Sequence, residues 1–248
     1  MKGRLHGKSA LITGGGTGIG AGIARRFVAE GARVTITGRR EAPLRELARE
    51  LGCDYAVGDV SSSTDAAAMV QSAVAAHGGL DVVVNNAGVA RFSDLAATTD
   101  EVLEMHLGIN VRGPYCVTRA ALPHLLERRG NVLFISSTLA MRGIPGGSAY
   151  GASKGAVNAL TLHLAAELSP RGVRVNCICP AVVETPIFET MMSLDDAAKV
   201  PQSMASIHPI GRVGQPTDVA GAALYLVSDE AAWVTGAVLT VDGGVTAV

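Results

Sequence analysis

The 248-residue chain is 48% hydrophobic and only 17% charged, with a formal net charge of -1, so it has no basic field to draw in nucleic acid or an anionic membrane. No apolar run reaches the roughly 18 residues of a membrane span. The opening MKGRLHGKSALITGG has neither an apolar signal core nor a small-residue cleavage site, so a cytoplasmic protein is expected, with no membrane and no nucleic acid among its partners.

Length fits one α/β domain, 1–248, better than two. Charge content below the roughly 25% usual for globular chains leaves two readings open, a large core or a surface covered by other subunits; an oligomer is expected.

In chain order, the first Val- and Ile-rich run, 8–13, leads through GGGTGIG into a helical pattern over 18–30. Gly14, Gly18 and Gly20 allow tight turns and close backbone approach. The amides of the following helix would face a pyrophosphate, a dinucleotide signal that a plain strand-to-helix turn could also produce. A second run, 33–37, ends at Gly38, where an acidic residue would bond an adenosine ribose. Arg39 and Arg40 follow instead. Guanidinium groups suit a 2′-phosphate, so NADP is the expected cofactor and NAD the alternative, although the same arginines could simply solvate the next helix, 41–50.

A weaker strand, 53–57, precedes a helix at 64–76, and a strand at 81–85 precedes a long helical pattern over 99–127. The run 131–136 delivers Ser136 and Ser137 at its carboxyl end. A helix at 150–169 follows, then strands at 173–178 and 237–241 with a helix at 217–228 between them. This βαβ rhythm, with runs apolar on both faces, predicts a doubly wound parallel sheet of about seven strands with helices on both faces. Residues 181–216 are too long for an ordinary connection and emerge from a strand's carboxyl end, so a substrate lid is expected at 186–208, with Ile187, Phe188, Met191 and Met192 on it. Cys53, Cys116, Cys177 and Cys179 are scattered and read as reduced thiols. His6, His77, His106, His124, His163 and His208 lack paired ligand spacing, so no metal is expected.

Tyr150 and Lys154 lie four apart, hence on one helical face. Free tyrosine ionises near ~10, and bringing that to neutrality takes about 4 kcal/mol. An ammonium about 4 Å away at an effective dielectric near 20 supplies roughly that amount. On spacing alone the pair could be incidental surface; a hydroxyl donor at the end of strand 131–136 makes it a candidate proton-transfer site.

With these residues assembled, the chain resembles the short-chain dehydrogenase/reductase family over essentially its whole length, and within it the 3-oxoacyl carrier-protein reductase-like branch. The resemblance is carried by Thr13 to Gly20, Asp59 with Val60, Asn85 to Gly88, Asn110, Ser137, Tyr150 with Lys154, and Asp242-Gly243-Gly244. It implies a single-domain Rossmann-type fold and an NADP(H)-dependent oxidoreductase interconverting a secondary alcohol and a ketone or aldehyde. The alternatives are an NAD(H)-dependent dehydrogenase of the same family or a catalytically silent nucleotide sensor.

The same resemblance implies the residue roles. Ser137 orients substrate, Tyr150 is the acid or base, Lys154 lowers the tyrosine pKa and holds the nicotinamide ribose, and Asn110 anchors a water leading to Lys154. The cofactor would meet Gly14, Thr17, Gly18, Ile19 and Gly20, then Arg39 and Arg40, Asp59 and Val60. Further along the chain it would meet Asn86, Ala87 and Gly88, and finally Pro180, Val183 and Thr185. Two positions depart from the family pattern: Ala181 replaces the glycine usual after Pro180, and Thr17 stands where many NADP enzymes carry a basic residue. The apolar tail, VTGAVLTVDGGVTAV, fits the family's homotetramer.

Overall fold

The Val- and Ile-rich runs become seven strands of one all-parallel sheet, in the order β3-β2-β1-β4-β5-β6-β7. The strands are β1 (Ser9–Thr13), β2 (Arg33–Gly38), β3 (Asp54–Val57), β4 (Val82–Asn85), β5 (Asn131–Ile135), β6 (Arg174–Pro180) and β7 (Val238–Val241). The computed structural model describes residues 3–187, 200 and 203–248.

Alternation along the central strands sends neighbouring side chains into two cores. Ala10, Ile12, Val82 and Val84 join Phe27 and Leu224 on one face, while Leu11, Val83, Phe134 and Cys177 join Met69 and Leu125 on the other. Helices α1 (Gly18–Ala29), α2 (Glu41–Leu51) and α7 (Pro216–Val227) cover the first face. Helices α3 (Ser63–His77), α5 (Gly113–Arg128) and α6 (Ser148–Leu168) cover the second. This is the doubly wound architecture expected from the sequence, and the order reverses between β1 and β4, where such folds open a ligand crevice.

The expected helix over 99–127 is three segments. Helix α4 (Asp100–His106) passes into a π-helical stretch, Leu107–Arg112, before α5 begins. Gly108, Gly113 and Pro114 flank or occupy the junction. Proline offers no N–H to continue the ordinary ladder, and the Gly113 N–H reaches back to the Gly108 carbonyl instead.

The long segment after β6 has a pinned stem. Val183 bridges Gly214, the Glu184 N–H donates to the Gly214 carbonyl at 2.9 Å, and the Gly214 N–H donates to Val182 at 2.9 Å. Within the expected lid, residues 188–199, 201 and 202, including Phe188, Met191 and Met192, lie outside the described residues.

Candidate active site

The β1 to α1 turn is stitched to the end of β4 by two side chains. The Thr13 hydroxyl accepts from the Asn86 and Ala87 N–H groups at 3.1 Å each. The Asn86 side-chain amide donates to the carbonyls of Thr13 and Gly14 at 2.9 and 3.0 Å. Only glycine fits here: a Cβ on Gly20 would stand 2.3 Å from the Gly14 carbonyl oxygen, and Gly14 itself has φ +62°. Thr17 caps α1 without a side-chain hydrogen bond, leaving the first amides of a 12-residue helix facing the crevice.

That crevice, about 400 Å³, is where most of the expected cofactor residues meet. Gly14, Thr17, Gly18 and Ile19 form one wall, Arg39, Arg40, Asp59 and Val60 a second, and Asn86, Ala87 and Gly88 the floor. Tyr150, Lys154 and Thr185 complete it. Gly20, Pro180 and Val183 sit behind the lining; Pro180 ends β6 and Val183 is buried at the pinned stem.

At the adenosine end, the Arg39 guanidinium, mostly solvent-facing, lies 3.9 Å from the carboxylate of the half-buried Asp59. Asp59 also accepts from the N–H and hydroxyl of Ser61. Burial raises the Asp59 pKa, but these bonds and Arg39 outweigh it and leave the pKa lowered overall. Asp59 therefore both borders the crevice and shapes the turn into α3, whose N-cap is Ser62.

At the other end, Tyr150 and Lys154 are both buried on α6. Lys154 Nζ donates to the Ile135 carbonyl at 3.0 Å and stands 5.8 Å from the centre of the Tyr150 ring. A Cβ on Gly88 would lie 3.3 Å from Asn110 Oδ1 and 3.4 Å from that ammonium nitrogen. The two serines separate cleanly. Ser136 Oγ donates to the Lys154 carbonyl at 3.0 Å, whereas Ser137 Oγ accepts from the Leu139 N–H at 3.2 Å and is the serine that lowers the Tyr150 pKa.

Burial dominates the electrostatics of the pair. Burial raises Tyr150 to about 12, offset only in part by Ser137. Lys154 falls to about 8, again through burial. The lysine's hydrogen bond goes to Ile135 rather than to the phenol, and desolvation dominates both groups.

Asn110 is buried in the π-helical stretch. Its Oδ1 accepts from the Val89 N–H at 2.9 Å, and its amide donates to the Val89 carbonyl and the Ser153 hydroxyl at 2.9 and 3.0 Å. The side chain thus ties the π-helical stretch to the Val89 backbone and to α6. Sequence reasoning also passed over Phe92 and His106, whose rings meet Tyr150 edge-on at 5.6 and 6.0 Å. The only trace was His106 standing one turn before Asn110.

Comparison with known proteins gives the chain its relatives. A family model described as enoyl-(acyl carrier protein) reductase matches residues 14–246. L-Fucose dehydrogenase of Bos taurus is 42% identical over 249 residues, covering 97% of this chain and 90% of that protein. 2-(S)-Hydroxypropyl-CoM dehydrogenase 3 of Xanthobacter autotrophicus is 38% identical over 255 residues and the full length of both. The crystal structure of 3-ketoacyl-(acyl-carrier-protein) reductase from Brucella melitensis complexed with NADH superposes with a TM-score of 0.91 at 37% identity, covering 98% of this chain and 99% of that one. The chain belongs to the short-chain dehydrogenase/reductase family of oxidoreductases.

Proposed function

We propose that this protein is an NADP(H)-dependent oxidoreductase that interconverts a secondary alcohol and a ketone or aldehyde, with Tyr150 as the proton donor and acceptor. The observation that carries the reading is the placement of Tyr150, whose pKa Ser137 lowers, on the wall of a crevice that also holds a helix N-terminus. A nicotinamide dinucleotide, when bound, supplies or takes up the hydride. The glycines, where a side chain would fill the cradle, and the open amides of α1 fit its pyrophosphate. Lys154, at the Gly88 floor, would hold a ribose hydroxyl of such a cofactor, and Thr185 lies against Gly18 at the mouth.

In the reducing direction Ser137 donates to the carbonyl oxygen and orients it, and the Tyr150 hydroxyl then delivers its proton to that oxygen as negative charge develops there. Burial that keeps the phenol protonated suits this direction, since a general acid must hold its proton until the transition state. Lys154 keeps its ammonium 5.8 Å from the centre of the Tyr150 ring. Arg39 and Arg40 favour the 2′-phosphate of NADP. The Asp59 carboxylate beside Arg39 favours NAD as the second reading, in keeping with the NADH of the Brucella structure.

The reading includes a cytoplasmic homotetramer with a substrate lid at 186–208. No helix among the described residues is long and apolar enough to cross a membrane. Ketones and secondary alcohols, among them L-fucose, should be screened with both cofactors in wild type and Tyr150→Phe. The variant is expected to bind cofactor about as well as wild type and to lose at least about 99% of turnover. Near-wild-type turnover in Tyr150→Phe would remove the acid/base assignment.

A further inference from the structure

After β4 the chain leaves the sheet and runs through residues 86–94 without regular structure. Side chains hold it in place of a neighbouring strand. Asn110 takes both main-chain groups of Val89. His106, four residues earlier, accepts from the Arg91 N–H through Nε2 at 3.1 Å, and its Nδ1 lies 2.8 Å from the Val102 carbonyl. Alternate residues of an extended segment therefore meet side chains one helical turn apart.

These partners fix the protonation state. An amide N–H can only donate and a carbonyl can only accept, so Nε2 must be bare and Nδ1 must carry the hydrogen. Neither the other tautomer nor the imidazolium satisfies both. The ring is fully buried and meets Tyr150 edge-on, while Phe92, the residue after the clamped Arg91, meets it from a second direction.

We propose that His106 is a positioning residue for Tyr150: as a neutral Nδ1–H imidazole it clamps Arg91 and so holds its own ring and that of Phe92 against the phenol. The proposal rests on the acid/base role of Tyr150 given above. The charged and titratable groups facing His106 are Arg91, from the clamped segment, and Lys154 and Tyr150, from α6. Burial lowers its pKa most; Arg91 and Lys154 lower it further, and the Val102 carbonyl opposes them. Protonation would aim an N–H at the Arg91 N–H, so the clamp opens as pH falls through that lowered value, and turnover falls with it.

The test compares His106→Phe, which keeps an aromatic ring but has no acceptor, with His106→Gln, which can accept from Arg91 and donate to Val102 but cannot titrate. With the ketone of highest turnover in the carbonyl screen, His106→Phe is expected to lower kcat about tenfold or more while leaving cofactor affinity within about twofold. His106→Gln is expected to recover most of kcat and to lose the acid limb of the kcat profile. Hydrogen exchange, which needs no substrate, should accelerate in residues 88–94 and 148–152 of His106→Phe and not of His106→Gln. Wild-type kcat and exchange in His106→Phe, or equal losses in both variants with the acid limb unchanged, would overturn the proposal. Tyr150→Phe, run alongside, separates the two ideas: turnover retained there defeats the acid/base reading, whereas an inactive Tyr150→Phe beside an unaffected His106→Phe defeats only this one.

Discussion

Arg39 faces two partners, the carboxylate of Asp59 beside it on the crevice wall and any phosphate placed on an adenosine ribose there. Replacing it with Asp sets two carboxylates side by side and removes the guanidinium, so Arg39→Asp should weaken NADPH binding by about tenfold or more relative to NADH. Fluorescence titration with both nucleotides checks this, and equal losses would defeat the NADP assignment. Gly20 is a harsher case. A methyl group there would meet the Gly14 carbonyl oxygen at 2.3 Å and the Asn86 amide at 2.5 Å, both already committed to each other. Gly20→Ala should therefore cost about 1–3 kcal/mol of stability and abolish dinucleotide binding, as read by urea unfolding and the same titrations. The spacing of Tyr150 and Lys154 was legible in the sequence because four residues make one helical turn. Their ionisation was not, because the burial that governs it comes from Phe92, His106 and Ile135, brought in by other parts of the chain.

At the level of elements, strands were readable as Val- and Ile-rich runs because the sheet is covered on both faces, and the runs at 131–136 and 173–178 fall on β5 and β6 within two residues. The break between α4 and α5 was invisible, since six residues of i→i+5 bonding are too few to show a period of their own between two α-helices. Its role becomes clear from Asn110, which it carries to the Val89 backbone. Asn110→Leu preserves bulk but leaves the Val89 groups and the Ser153 hydroxyl short of partners, an expected loss of about 1–3 kcal/mol. Urea unfolding measures it; an unchanged midpoint would mean that water replaces those bonds. Helix α3 offers a milder case, because Ser62 Oγ accepts from the Asp65 N–H. Ser62→Ala should cost about 1 kcal/mol by the same measurement.

Across the whole molecule, two buried histidines set the acid side of the stability curve. Burial lowers the pKa values of both His77 and His106. The unfolded chain, with ordinary histidines near ~6.5, takes up protons first as pH falls. Stability is therefore full above about 6.5 and is lost as pH drops from there through the lowered folded values. Unfolding midpoints between about pH 7.5 and pH 5 should show this decline, and His77→Gln should flatten it. The pairing of β1 with both β2 and β4 has a consequence for biosynthesis. Ser9 and its buried partner Asp81 lie 72 residues apart. At roughly 5–20 residues per second, a ribosome needs about 4–14 s to make that stretch. Throughout that interval the edge of β1 that β4 will pair has no mate, so the nascent chain is a ready client for chaperones that shield exposed strand edges.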